Sequence, residues 1–318
     1  MIWLSFRQAR YENIVIAIVL GLFVLLLVPT GIHVASVFDG TGVGACLAHP
    51  TTQGALCAQT VDDFSRRFSS LTSLVAWFNL LPGLVGALLA APFVLELEQG
   101  TYRLAWTQSV TRRRWLTTKL CVILAGAALN GALCALLFTW WRHPFDQVFG
   151  RVAPNTFDLE GITPFAYTLF AAALVLAIGA LTRRTAIAVG AAFGLYIGVR
   201  LAVQSWARQH FVTPTHAIWS SAVSPPGVLR HSWVLDTSPG DRFGHPLHHA
   251  FVLVAPCIDK SGGRDPGPCL AQHGVYNVAT YFPSGSFWTL QAIEAGLFVG
   301  VALVLAAVAV GVVRSRFS

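Results

Sequence analysis

Six stretches of this chain are apolar and long enough to cross a hydrocarbon core of about 30 Å, and that repetition constrains the fold more than any other feature. They lie at 13–31, 71–95, 119–140, 164–182, 186–204 and 287–313. Inside lipid, every backbone N–H and C=O must be satisfied within the segment, so each stretch is expected to be a helix. Only 11% of the 318 residues are charged, against about 25% in soluble domains. The expected fold class is an all-α integral membrane protein with six transmembrane helices. The second run contains "NLLPGLVG", so Pro82 and Gly83 predict a kink near its middle. No small-residue cleavage site follows the first run, which therefore reads as a retained helix.

An even number of spans places both termini on one side, and charge indicates which. With the N-terminus inside, the short inner segments hold Arg7, Arg10, Arg103, Arg112, Arg113, Arg114, Lys119, Arg183, Arg184, Arg314 and Arg316. The acidic residues there are only Glu12, Glu96 and Glu98. Lys and Arg in short loops set orientation, so both termini are expected in the cytoplasm. The net charge of +7 is then a topology signal and not a nucleic-acid footprint.

This map divides the chain into residues 1–12, an interfacial amphipathic helix; 13–204, spans one to five with a polar loop at 96–118; 205–286, an extracytoplasmic domain; and 287–318, the sixth span and cytoplasmic tail. The 205–286 segment is rich in Pro and Gly and carries one strand-like run, "HAFVLVAPC". Cys46 and Cys57 fall in the first outer loop, Cys257 and Cys269 in the last, and Cys121 and Cys134 in the third span. Two even pairs on the oxidising side predict disulfides Cys46–Cys57 and Cys257–Cys269.

The most basic short segment is "LELEQGTYRLAWTQSVTRRRWLTTKL", Leu95 to Leu120. Gly100 offers a break and Thr101 a cap; Tyr102, Leu104, Ala105 and Trp106 offer interfacial anchors. Ser109 or Thr111 can cap the helix that continues into the third span, and Glu96 and Glu98 lie within reach of Arg112 to Arg114.

The residue order here resembles the Glu-x-x-x-Gly-Thr segment of ABC-2-type ABC transporter permeases, in a branch typical of high-GC Gram-positive bacteria. "YFPSGSFWTLQAIEAGLF" and "ARQHFVTP" resemble the same branch. One departure is Leu95, where the pattern has a basic residue, which leaves open what balances Glu96. The resemblance implies a plasma-membrane half-transporter whose six-span subunits pair, as a homodimer or a heterodimer. In each, a coupling helix within 96–118 would dock on a cytoplasmic ABC ATPase, two copies per complex. The implied contacts are Glu96, Glu98, Gly100, Thr101, Tyr102, Arg103, Leu104, Trp106, Thr107 and Gln108. No Gly-x-x-x-x-Gly-Lys-Ser/Thr loop occurs in the chain. ATP and Mg are therefore expected on the partner, with no cofactor, catalytic residue or metal in this subunit.

Outside that loop, Glu294 lies about seven residues into the last span, where an acid needs a partner or water. It reads as a polar contact at the transport path or outer gate, or an ion pair with Arg200 of the fifth span, or else as a structural pair that locks the outer loops. Asn79, Asn130 and Gln204 read as interhelical hydrogen bonds. "HPLHH", with His245, His248 and His249, contains a proline that argues against a helix, so we expect solvated histidines there and no metal site. The expected function is ATP-driven export of a hydrophobic or amphipathic compound (drug, antibiotic or lipid). The alternatives are a membrane receptor whose 205–286 domain binds a ligand and signals to a cytoplasmic partner, and a membrane metalloenzyme built on the outer histidines.

Overall fold

The computed structural model describes residues 10–48, 54–103, 111–152, 154–247, 250–261 and 265–316. Among them are six helices long and apolar enough to span a bilayer. The chain opens with α1 (Arg10–Gly40), which runs through Pro29 and extends beyond the apolar run expected from sequence. Three shorter helices follow: α2 (Val43–Ala48), α3 (Gly54–Arg67) and α4 (Ser69–Phe78). Cys46 on α2 is bridged to Cys57 on α3.

The second apolar run is not one kinked span. It breaks at Asn79–Leu80, and α5 (Leu81–Gln99) begins afresh with Pro82 in its first turn. The physical reason is positional: a first-turn proline gives up an N–H that has no helical partner anyway, and its fixed φ starts the new helix. Next comes α6 (Arg112–Phe149), whose 38 residues make a rod of about 57 Å. It outreaches the bilayer and continues past the run at 119–140. Thr111 caps its start by accepting from the Arg114 N–H at 3.4 Å.

A single turn, α7 (Pro154–Phe157), leads to α8 (Thr163–Thr182). This is the central helix, with 72% of its apolar stretch buried, and α5, α6, α9 (Thr185–Ala202) and the last helix pack around it. Small residues permit the approach. A Cβ at Gly86 would lie 2.5 Å from the Thr168 carbonyl oxygen, and one at Gly131 would lie 2.8 Å from Phe165 Cα. In lipid, where burial of apolar surface drives little, such close packing is what associates helices.

Beyond α9 the chain makes a π turn (Val203–Ala207) and a 3₁₀ turn (Arg208–His210). Then come β1 (Thr215–Ser220), β2 (Trp233–Gly240), α10 (Ala250–Ser261), α11 (Gly267–Gln272), β3 (Tyr276–Phe282) and finally α12 (Phe287–Arg316). The sheet is antiparallel in the order β1-β3-β2, with Ala279 opposite both Ala217 and Thr237. The strand-like run "HAFVLVAPC" is not a strand: from Ala250 it forms α10. A short apolar run does not distinguish the two states by period, and Pro256 could not donate to a ladder. Cys257 on α10 is bridged to Cys269 on α11, while Cys121 and Cys134 remain unpaired in α6.

Two aromatic clusters complete the core. Phe64 and Phe68 of α3 and its turn meet Trp141 and Phe145 of α6, and so hold the short helices against the protruding end of that rod. Val152, Phe157, Phe282, Phe287 and Leu290 seat the sheet on the spans.

Candidate functional site

Two constellations of polar side chains lie at opposite ends of the spans. The first is the stem of the 96–118 loop. Glu96 and Lys119 are both buried, and Lys119 Nζ donates to Glu96 Oε1 at 2.5 Å. An isolated charge at that depth would be strongly disfavoured, so each residue requires the other. Lys119 on α6, not Arg112–Arg114, thus balances Glu96. Glu98 also turns elsewhere. Its Oε2 accepts from the Thr185 backbone N–H at 2.8 Å and from the Thr185 hydroxyl at 2.6 Å. The residue at the cap of α9, Arg184, supplies no side-chain bond of its own. Glu98 therefore caps α9 from a neighbouring helix, where a carboxylate also suits the positive end of the helix dipole.

Gly100 ends α5 in the left-handed region at φ 71°, as expected of a helix C-terminus. Half-buried Thr101 follows, and then the chain turns Tyr102 inward. Tyr102 is only 5% exposed and packs 6.4 Å from the Trp115 ring, which stacks on Phe93 at 5.8 Å. Tyr102, expected as an interfacial anchor, thus has its ring turned inward, where it joins α5 to α6. Arg103 is exposed, with its guanidinium 6.0 Å from the Tyr102 ring centre. Leu104, Trp106, Thr107 and Gln108 lie outside the described residues. The stem is thus tied in three places, twice to α6 and once to α9, and displacing it loads three spans together.

The second constellation is a set of buried charges at the sheet end. Glu294 of α12 is 1% exposed and accepts from Arg208 Nε at 2.8 Å and Arg208 Nη2 at 2.9 Å. Arg208 Nη2 also donates to Asp158. Arg200 Nη2 donates to the other Asp158 oxygen at 2.6 Å, and its Nη1 donates to the Asn79 carbonyl at 2.6 Å. The Tyr167 hydroxyl stands 3.0 Å from Asp158 and 2.5 Å from Glu294 and can donate to one at a time. The expected Arg200–Glu294 pair is therefore corrected: Arg200 holds Asp158, and Arg208 holds Glu294.

Sequence reasoning missed Arg208 because regular geometry points it elsewhere. At about 3.6 residues per turn, position 208 stands roughly 80° round from position 200. The wider π turn between them lowers the twist per residue and brings both guanidiniums to one face. Asp158 sits in the short link between α7 and α8, outside every apolar run, and no periodic signal marks it.

A neighbouring set has the same logic. Arg142 Nε donates to Glu160 at 3.1 Å and Arg151 Nε to the other Glu160 oxygen at 3.2 Å, with Asp146 beside both arginines. The set around Asp158 and Glu294 holds two buried carboxylates and two buried guanidiniums, so its formal charge cancels. That balance favours a lock joining α4–α5, α8, α9 and α12 over a charged substrate contact. Asn79 and Gln204 bond across elements, whereas Asn130 bonds back to Gly126 within α6. His248 and His249 lie outside the described residues, and His245 is paired with Asp241 at 3.1 Å. Among the described residues, the grouping of metal-ligand type is Cys257, Cys269 and His273, whose two sulfurs form the disulfide.

The family profile described as ABC-2 membrane transporter related matches residues 17–208. The chain belongs to that family. ABC-2 family membership makes it a multi-pass membrane transport subunit and implies an ABC ATPase as its partner. The matched stretch contains the whole 96–118 loop and ends on Arg208, so it includes Asp158, Arg200 and Arg208 of the buried set. The sheet and α12, with Glu294, follow it. No curated protein and no solved structure matches the chain.

Proposed function

We propose that this chain is the membrane-spanning permease of an ATP-driven exporter that moves a hydrophobic or amphipathic compound outward, with a separate ATPase subunit binding ATP and Mg. The observation that carries this reading is the stem of the 96–118 loop. A partner pressing on it acts at once on α5, on α6 through Lys119 and Trp115, and on α9 through Thr185. The ATPase is then held by the 96–118 loop, on which Arg103 is exposed. ATP-driven closure of two ATPase copies would rock two permease subunits against each other.

A second copy of this chain is the favoured partner within the membrane. Gly190, Gly194 and Gly198 recur every fourth residue on an exposed face of α9, and nothing lies within 4 Å of a Cβ placed at any of them. Such a ridge suits close helix–helix contact in lipid. The proposed setting is the bacterial plasma membrane, both termini inside and the sheet outside, in line with the basic residues of the short inner segments.

The test is co-purification. Tagged permease expressed with its ATPase should retain it, and Trp106→Ala with Arg103→Ala should reduce retention without lowering the amount of permease in the membrane. In a background lacking native cysteines, cysteine at Arg183 should resist impermeant thiol reagents in intact cells, while cysteine at Ser238 should react. Retention unchanged in the double variant removes the docking role of 103–106, and labelling at 183 from outside inverts the orientation.

A further inference from the structure

We infer that a lateral groove between α1, α6 and the start of α12 binds an anionic membrane lipid, with its phosphate on Arg151 and an acyl chain lying along Leu136. The groove encloses about 810 Å³, and sites for small organic ligands run to about 300–1,000 Å³. It forms where α1 and α6 converge at Gly31, against which the Trp140 ring is packed so closely that a Cβ would fall 2.8 Å from it. Leu136, 69% exposed, supplies the apolar wall. Trp140 and Trp288, each about half exposed, stand beside it toward the sheet end. Half-exposed tryptophans near span ends mark the depth of lipid headgroups.

The polar end of the groove is one-sided in charge. Arg151 and His143 are its ionisable lining residues, and no carboxylate lines it among the described residues. Asp146 and Glu160 are buried behind Arg151, with side chains 9% and 0% exposed, whereas the Arg151 side chain is 34% exposed. Arg151 is also fixed in place. Its Nε donates to Glu160 at 3.2 Å and its guanidinium lies 4.2 Å from the Phe287 ring centre. Its two terminal nitrogens have no acceptor among the described residues. A pre-oriented guanidinium edge with free donors is matched by a phosphate. A headgroup carrying its own cation would bring that charge against Arg151. A water-soluble anion would leave the apolar wall uncovered. The anionic phospholipid is the occupant that satisfies both ends.

Native mass spectrometry of the detergent-purified full chain tests this with phosphatidylglycerol and phosphatidylcholine as probes. One phosphatidylglycerol per chain should be retained, and phosphatidylcholine should not. Arg151→Gln removes the donors while Arg142 continues to hold Glu160 at 3.1 Å. Leu136→Trp fills the groove from an exposed position that no core packing depends on. Each should lower retention about tenfold or more, equivalent to a weakening of at least 1.4 kcal/mol. Equal retention of the two lipids would overturn the inference, as would retention by Leu136→Trp at the level of the unmodified chain. If Arg151→Gln fails to fold, the Leu136→Trp result decides alone.

Discussion

Replacing Arg208 with leucine is expected to destabilise the protein by about 3–5 kcal/mol, the cost of removing one member of a buried ion pair. Arg208 is 1% exposed and serves both Asp158 and Glu294. Without it, two carboxylates share the single guanidinium of Arg200 in a dry site. Leucine fills the apolar part of the arginine volume, so the loss is one of charge balance more than of packing. Thermal unfolding of the purified protein measures it. Arg66→Leu is the control, because its partners Asp62 and Asp63 are exposed, and such surface pairs contribute only about 0–1 kcal/mol. Adding Glu294→Leu to Arg208→Leu should recover most of the loss, since Arg200 and Asp158 are then left as a matched pair. An Arg208→Leu protein that melts with the unmodified chain would show that water or an ion compensates the site, and would return Glu294 to the transport path.

Lys119→Met should have an effect of the same order, about 3–5 kcal/mol, at the other end of the spans. It leaves Glu96 buried against apolar neighbours with its partner gone. Charge reversal separates the pair from the residues: Glu96→Lys combined with Lys119→Glu should regain most of the stability that either single change removes. Equal destabilisation by the swap and by the singles would mean that packing, and not charge, holds the stem. Because the pair sits at the root of the 96–118 loop, Lys119→Met should also lower ATPase stimulation in whatever fraction folds.

The large features were legible because each rests on a local rule. Apolar runs of bilayer length must be helices, and four cysteines about a dozen residues apart in pairs, within two loops, pair locally. Where the reading departed from the structure, long-range geometry decided. Whether Pro82 kinks a helix or starts one depends on where the preceding helix stops, and Arg200 with its hold on Asn79 stands at that point. The partner of Glu96 lies 23 residues away on another span, and no spacing rule connects the two. Arg208 joins the buried set only through a π turn, which has no sequence signature. Residue type marks Tyr102 as an interfacial anchor, whereas its inward ring depends on Trp115 across the loop. In α10, an apolar run carrying a proline fitted two secondary structures, and the disulfide to α11 accompanies the one adopted.

Coupling through the stem is measured by ATP hydrolysis of the permease reconstituted with its ATPase in lipid vesicles. Amphipathic compounds should raise the rate in the intact complex. Glu98→Ala, which unties the stem from Thr185, should abolish that increase while the ATPase stays bound and the permease stays folded. Hydrolysis that responds to amphipathic compounds equally with and without the Glu98–Thr185 tie would contradict coupling through the stem.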